Sequence, residues 1–332
     1  MADFQEQKAL VRRYHEELDA ASTGALKGII DRYVSADYLW RGVHPFNELT
    51  NTEELADRVW RPLREALSPI QRRHDIFMAG SNEIDGTDWV ISMGHLMGLF
   101  DKPWLGIPAT GRMAFLRYAE FHRITNGRIS STGFFCDIID LMKQAGLVPL
   151  PAQTGAEFLV PGPRTHDGLM FQRQDPAESQ KTLDLVNRMC DDLVHAEGFQ
   201  APSRLLQRTW HDDMIWFGPS GIGSTYTIER YQAQHQGPFR AGLSNIVFNG
   251  HVCRFAEGNY AGWFGWPNLT MNSSGGFMGL PATGKKLNMR VVDMYRREGD
   301  KLAENWIFID MLYWMIQQDI DVLDRMRSMV RA

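Results

Sequence analysis

The sequence predicts two tandem α+β domains, each with helices at its start and a curved antiparallel sheet after them. Three observations lead there. First, one segment is written twice: residues 106–142 (GIPATGRMAFLRYAEFHRI…) and 279–315 (GLPATGKKLNMRVVDMYRR…) align at a constant offset of 173 with ten of 37 positions identical, where near-even residue usage gives roughly two by chance. Second, the likeness extends upstream: SADYLWRG (35–42) answers HDDMIWFG (211–218), and LVRRYHEEL (10–18) answers LVNRMCDDL (185–193). Third, residues 148–168 carry four prolines and no helical period, which reads as an extended connector. A period this long is one domain copied, not a solenoid, and 332 residues exceed what one core organises. The expected bounds are 1–147, a linker 148–169, and 170–332.

Each copy opens with a helix, because Leu10, Val11, Tyr14 and Leu18, and again Leu185, Val186, Met189 and Leu193, form one apolar stripe. A second helix and a strand ending at Trp40 or Trp216 follow. The third helix (52–66, 226–235) starts at the capping residues Thr50, Asn51 and Thr52 with Glu53 and Glu54 in its first turn. Strands are expected at 72–84, 88–100, 111–124 and 128–136, with Asn126-Gly127 as a hairpin turn. Helices first and a meander afterwards define an α+β unit, a cone with a cavity.

The element order, the G-[IL]-P-A-T-G entry to a long strand and the ending D-[IM]-[IL]-x-[LW]-M at 137–142 and 310–315 resemble the SnoaL-like polyketide cyclases of the nuclear transport factor 2-like (cystatin-like) superfamily. The resemblance covers both copies but not the linker. It implies acid/base chemistry in the cavity, by an aspartate on the closing strand and a histidine on the strand before it. Here those positions hold Phe134 and Ile307 for the aspartate, and Glu120 and Asp293 for the histidine. Asp137 and Asp310 match a second family aspartate three residues later.

Strand alternation places Leu116, Tyr118 and His122 on the face of Glu120, and Met289, Val291 and Tyr295 on that of Asp293. A carboxylate among such neighbours has its pKa raised by desolvation toward the range useful for proton transfer. Glu120, Asp293, Asp137 and Asp310 are therefore the catalytic candidates, with helix N-capping as the other role open to the last two. Trp40, His44, Tyr118, His122, Trp216, Tyr295 and Trp306 are the candidates for binding a small hydrophobic or aromatic ligand. Arg117 and Arg290, on the opposite strand face, are expected to pair with acidic or carbonyl groups where the two domains meet.

Composition removes other classes. A net charge of −5 offers no footprint for nucleic acid or an anionic membrane, and no 18-residue apolar run occurs. The N-terminus lacks a signal-peptide pattern, so a cytoplasmic protein is expected. Three separated cysteines and histidines scattered at 44, 74, 95, 122, 211, 235 and 251 show no metal-ligand spacing, so neither metal nor cofactor is expected. GPSGIGST (218–225) lacks the lysine of a phosphate loop and reads as a flexible mouth loop.

The reading is a cofactor-independent enzyme of the SnoaL-like polyketide cyclase type, a lyase or isomerase acting by aldol cyclisation, isomerisation or hydration/dehydration on a small hydrophobic carbonyl compound. The alternative is a non-catalytic binding protein or assembly scaffold on the same fold. Single-domain relatives pair, so an intramolecular pseudo-dimer is expected, open to further homo-oligomerisation.

Overall fold

The computed structural model describes residues 3–196 and 202–331. It contains two compact units that interleave along the chain. Unit one takes the residues up to Pro149, residues 161–173, and the C-terminal segment from Asp321. Unit two takes residues 150–160 and 174–320 as far as they are described.

Unit one begins with helices Gln5–Ala20 and Leu26–Tyr33. The first buries Val11, Tyr14 and Leu18 as the stripe predicts, and His15 beside them. Strands β1 (Val34–Gly42) and β2 (Asn47–Leu49) follow. The third helix runs from Thr52 through a π turn at Ala56–Trp60 to Ala66, and Asn51 caps it by accepting from the amides of Glu53 and Glu54. Then come β3 (Gln71–Ser81), β4 (Asp88–Leu99), β5 (Met113–Thr125) and β6 (Arg128–Cys136). The sheet order is β2-β1-β6-β5-β4-β3. β3 to β6 form the expected antiparallel meander, while β1 joins β6 in parallel. The turn between β5 and β6 has Asn126 and Gly127 both at positive φ, as that dipeptide demands.

Unit two repeats the plan. Helix Pro176–His195 is followed by β7 (Trp210–Phe217) and β8 (Thr225–Tyr226). A helical run from Ile228 to Gly242, again with a π turn at Gln232–Gln236, extends past the predicted end at 235. β9 (Leu243–Phe248), β10 (Cys253–Glu257), β11 (Tyr260–Ser273), β12 (Lys286–Glu298) and β13 (Lys301–Ile309) complete it. The order is β10-β11-β12-β13-β7-β8, with β9 also on β11 and β7 parallel to β13. The cross-strand rows coincide between copies: Ser92, Glu120 and Phe134 in one, Trp263, Asp293 and Ile307 in the other.

The connector is divided between the units. Residues 161–173 lie on unit one, where Gly168 and Met170 bond the backbone of Phe77 and the Lys8 ammonium donates to the Met170 carbonyl at 2.6 Å. Residues 150–160 lie on unit two, with Ala156 and Ser224 exchanging backbone bonds. That pairing corrects the expected flexible loop at 218–225. The Gly221 amide donates to Gln153 at 3.0 Å, the Ser220 hydroxyl donates to Glu157 at 3.1 Å, and a Cβ at Gly223 would stand 2.7 Å from Gly155. No described helix is long and apolar enough to cross a membrane.

Candidate active site

The sheet of unit two curls around a cavity of about 170 Å³. Asp293 on β12 lies in it, 4% exposed, with Met289, Val291 and Tyr295 from the same strand face, as the alternation predicts. Helix Pro176–His195 contributes Cys190, β7 contributes Trp216, the π turn contributes His235, β11 contributes Trp263 and β13 contributes Asn305. Two indole–imidazole stacks help form the wall: Trp216 on His235 and Trp263 on His251, each with centroids 4.1 Å apart. Burial lowers both imidazoles to about 3, so they are neutral at any physiological pH. His235 Nδ1 is buried with no hydrogen-bond partner among the described residues, a polar atom available to a ligand.

Among the described residues no cation acts on Asp293. Burial raises its pKa to about 8, against the opposing effect of hydrogen bonds from Asn305 and Tyr295. The Asn305 amide donates to Asp293 Oδ1 at 2.7 Å and fixes the carboxyl orientation. A carboxyl group whose pKa lies close to neutrality can deliver a proton as the acid or accept one as the carboxylate at low cost.

The matching position in unit one has been built differently. Glu120 is fully buried, yet the Arg72 guanidinium on β3 donates to its Oε2 at 2.6 Å and reaches Asp19 at 2.9 Å with Nε. Burial alone pushes the Glu120 pKa up; the Arg72 charge, with His122 and His15, outweighs it and holds the group well below the usual carboxylate range. This corrects the expectation of a desolvation-raised Glu120. The cause is the strand edge beside it: β3 carries Arg72, whereas in unit two that edge is shared by β9, which carries no cation, and β10, whose Arg254 is directed to Cys190 and not to Asp293.

Around Glu120 the chain assembles a polar network that spacing does not reveal. His15 Nε2 lies 3.1 Å from Glu120 Oε2 and 3.2 Å from His122 Nε2, and His74 Nε2 lies 3.4 Å from His15 Nδ1. His122 Nδ1 meets Thr132 Oγ1 at 2.9 Å, and the Tyr38 hydroxyl donates to that same oxygen at 2.8 Å. Burial and the Arg72 charge lower the His15 pKa well below its ordinary value.

The remaining candidates separate by face. Trp306 is a correction: Asn305 and Ile307 line the cavity, so Trp306 between them points away and stacks on Phe217 at 5.5 Å. Trp40, 1% exposed, packs on Phe46 and Phe134, and the Tyr118 hydroxyl bonds Ser92 Oγ at 2.8 Å beneath the Arg72 guanidinium. His44 sits half-buried in the turn between β1 and β2. Asp137 and Asp310 cap helices, accepting from the amides of Asp140 and Tyr313 at 3.1 Å each. Asp310 also holds Arg290, whose guanidinium lies between Trp266 and Tyr313. Arg290 thus pairs with an acid on the face away from the cavity.

Sequence reasoning missed His15, Cys190 and Asn305 as site residues and grouped His235 and His251 among scattered histidines. One signal was legible: at the repeat offsets His15 answers Cys190, His122 answers Tyr295, and Thr132 answers Asn305, so one scaffold position set carries two chemistries.

Residues 231–318 match the family model of the SnoaL-like polyketide cyclases. The match falls within unit two and includes Asp293, His235, Trp263 and Asn305. No curated protein matches the chain. Among solved structures, an NTF2-like protein from Burkholderia xenovorans is similar at 14% identity, covering 42% of this chain and 97% of its own, with a TM-score of 0.34. AclR from Streptomyces galilaeus is similar at 17% identity over 43% of this chain and 98% of its own, TM-score 0.34. TsrD from Streptomyces laurentii is similar at 20% identity over 42% and 96%, TM-score 0.34.

Proposed function

We propose that unit two is a cofactor-independent acid/base enzyme acting on a small cyclic or aromatic carbonyl compound, with Asp293 as the proton-transferring group. The observation that carries this is a buried carboxyl with no counter-cation among the described residues, its pKa raised to about 8, in a cavity lined by rings. The family match over residues 231–318 supports the same class of chemistry.

The carboxylate form of Asp293 removes the proton α to the carbonyl, and the C–H electron pair moves into the enolate. His235 is the polar group suited to steady the enolate oxygen, joined by the Tyr295 hydroxyl once Asp293 has taken the proton and no longer requires its donation; a donor aimed at developing charge in a dry site is worth several kcal/mol. The carboxylic acid then returns its proton to a different carbon, which gives isomerisation, or to the oxygen formed when the enolate carbon attacks a second carbonyl, which gives aldol closure. Cavity size favours a single ring, since about 150 Å³ accommodates benzene.

The test uses small cyclic β,γ-unsaturated ketones and follows their conversion to conjugated isomers, together with exchange of α-protons in deuterated water. The expected result is acceleration by the wild type that Asp293→Asn abolishes. Ring ketones that bind without exchange or isomerisation would transfer the cavity to the binding-protein reading.

A further inference from the structure

A ligand set in unit one lies outside the proposed chemistry of unit two. Three lone-pair atoms converge there: His15 Nε2, His122 Nε2 and Glu120 Oε2, separated by 3.1, 3.2 and 3.8 Å. A circle through those three distances has a radius of about 2 Å, the length of a zinc–nitrogen or zinc–carboxylate bond. All three side chains are 1–2% exposed. We propose that this cluster is a structural site for a divalent first-row transition cation of the Zn²⁺ class.

The groups behind the ligands suit that role. A metal-binding imidazole presents one nitrogen to the cation and donates its other N–H to a neighbour that fixes the ring. His122 Nδ1 faces Thr132 Oγ1 at 2.9 Å, and His15 Nδ1 faces His74 Nε2 at 3.4 Å. Both Nε2 atoms are thereby directed at one point. Arg72 donates at 2.6 Å to the ligating oxygen itself, Glu120 Oε2, and so fixes the carboxylate, and Asp19 pairs with Arg72, which offsets a cationic neighbour that would otherwise oppose metal binding. Glu120 Oε1 is buried with no hydrogen-bond partner among the described residues, a second carboxylate oxygen able to complete coordination by chelation. Two imidazoles and a carboxylate select intermediate cations such as Zn²⁺, Co²⁺ or Fe²⁺ over Mg²⁺ or Ca²⁺, which require oxygen-only shells. A site this closed supports the fold of unit one. The competing occupant is a single proton on His15 Nε2 shared between His122 and Glu120.

Purified full-length protein separates the two. With a metal site, elemental analysis after dialysis gives one equivalent of metal per chain, and Co²⁺ added to chelator-treated protein develops visible d–d bands that saturate at one equivalent. His15→Ala and His122→Ala lose the metal, whereas His15→Cys, which supplies a thiolate, retains Zn²⁺; a shared proton predicts no such rescue. Thr132→Val, removing only the group behind His122, weakens Co²⁺ affinity roughly 10- to 100-fold, the usual cost of such a loss. Should the alanine variants fail to fold, wild-type stoichiometry and the Co²⁺ spectrum still decide. Wild type that neither retains metal nor develops Co²⁺ bands overturns the proposal, as does metal retained undiminished by folded His15→Ala and His122→Ala proteins.

Discussion

Replacing Asp293 by asparagine should stabilise unit two at neutral and alkaline pH while removing its chemistry. The native carboxyl titrates near 8, and an ordinary aspartate near 3.8. Between those values the folded state holds a proton that the unfolded state has released, so wild-type stability is fully retained below about pH 4 and declines as pH rises toward 8. Each pH unit costs about 1.4 kcal/mol, so the decline over roughly four units is of order 5 kcal/mol. Asparagine has the shape of the protonated acid, can still accept from the Asn305 amide at Oδ1, and does not ionise. The stability difference, Asp293→Asn minus wild type, should be near zero at pH 4.5 and grow to several kcal/mol by pH 8. For a unit of about 150 residues that is a rise in Tm of order 10 °C or more. Thermal or urea unfolding of both proteins at matched pH values measures it. A difference that does not change with pH, or an asparagine variant less stable at every pH, would refute the argument that burial without a counter-charge sets the Asp293 pKa.

Three further outcomes follow from the same geometry. Glu120→Gln, at the matching position of unit one, should destabilise by about 1.5–3 kcal/mol, because it takes from the buried Arg72 guanidinium one of its two carboxylates and leaves Asp19 as the other; unfolding near pH 7 gives the sign opposite to Asp293→Asn. With Asp293 acting as a base from its ionised form, kcat/KM for the ketone isomerisation should rise with pH and level off above about 8, as initial rates across pH 6–9 will show. Asp310→Ala removes a helix cap and the partner of Arg290, and should cost at least about 1 kcal/mol in urea unfolding while leaving isomerisation intact where the protein is folded.

The duplication, the helices-then-sheet order and the strand faces were legible in the sequence because they are periodic and local. The offset of 173 put Glu120 and Asp293 in the same cross-strand row, and period-two alternation put Met289, Val291 and Tyr295 beside Asp293. The same alternation, carried through β13, would have sent Trp306 outward with Phe217; an indole count near strands passed over it.

What tertiary structure decided was the charge state of each site. Arg72 is 48 residues from Glu120 and His15 is 105, so nothing local joins them, and only the assembly of the sheet, in which β4 joins β3 to β5, with helix Gln5–Ala20 packed on it brings a guanidinium and two imidazoles to one carboxylate. In unit two β9 carries no charge, Arg254 of β10 is directed to Cys190, and the corresponding helix presents that thiol, so Asp293 lines the cavity held by Asn305 and by no cation among the described residues. A buried carboxyl's pKa is set by whichever charges lie within a few ångströms. The sequence determines which residue occupies each strand row, but that distance exists only once the chain has folded.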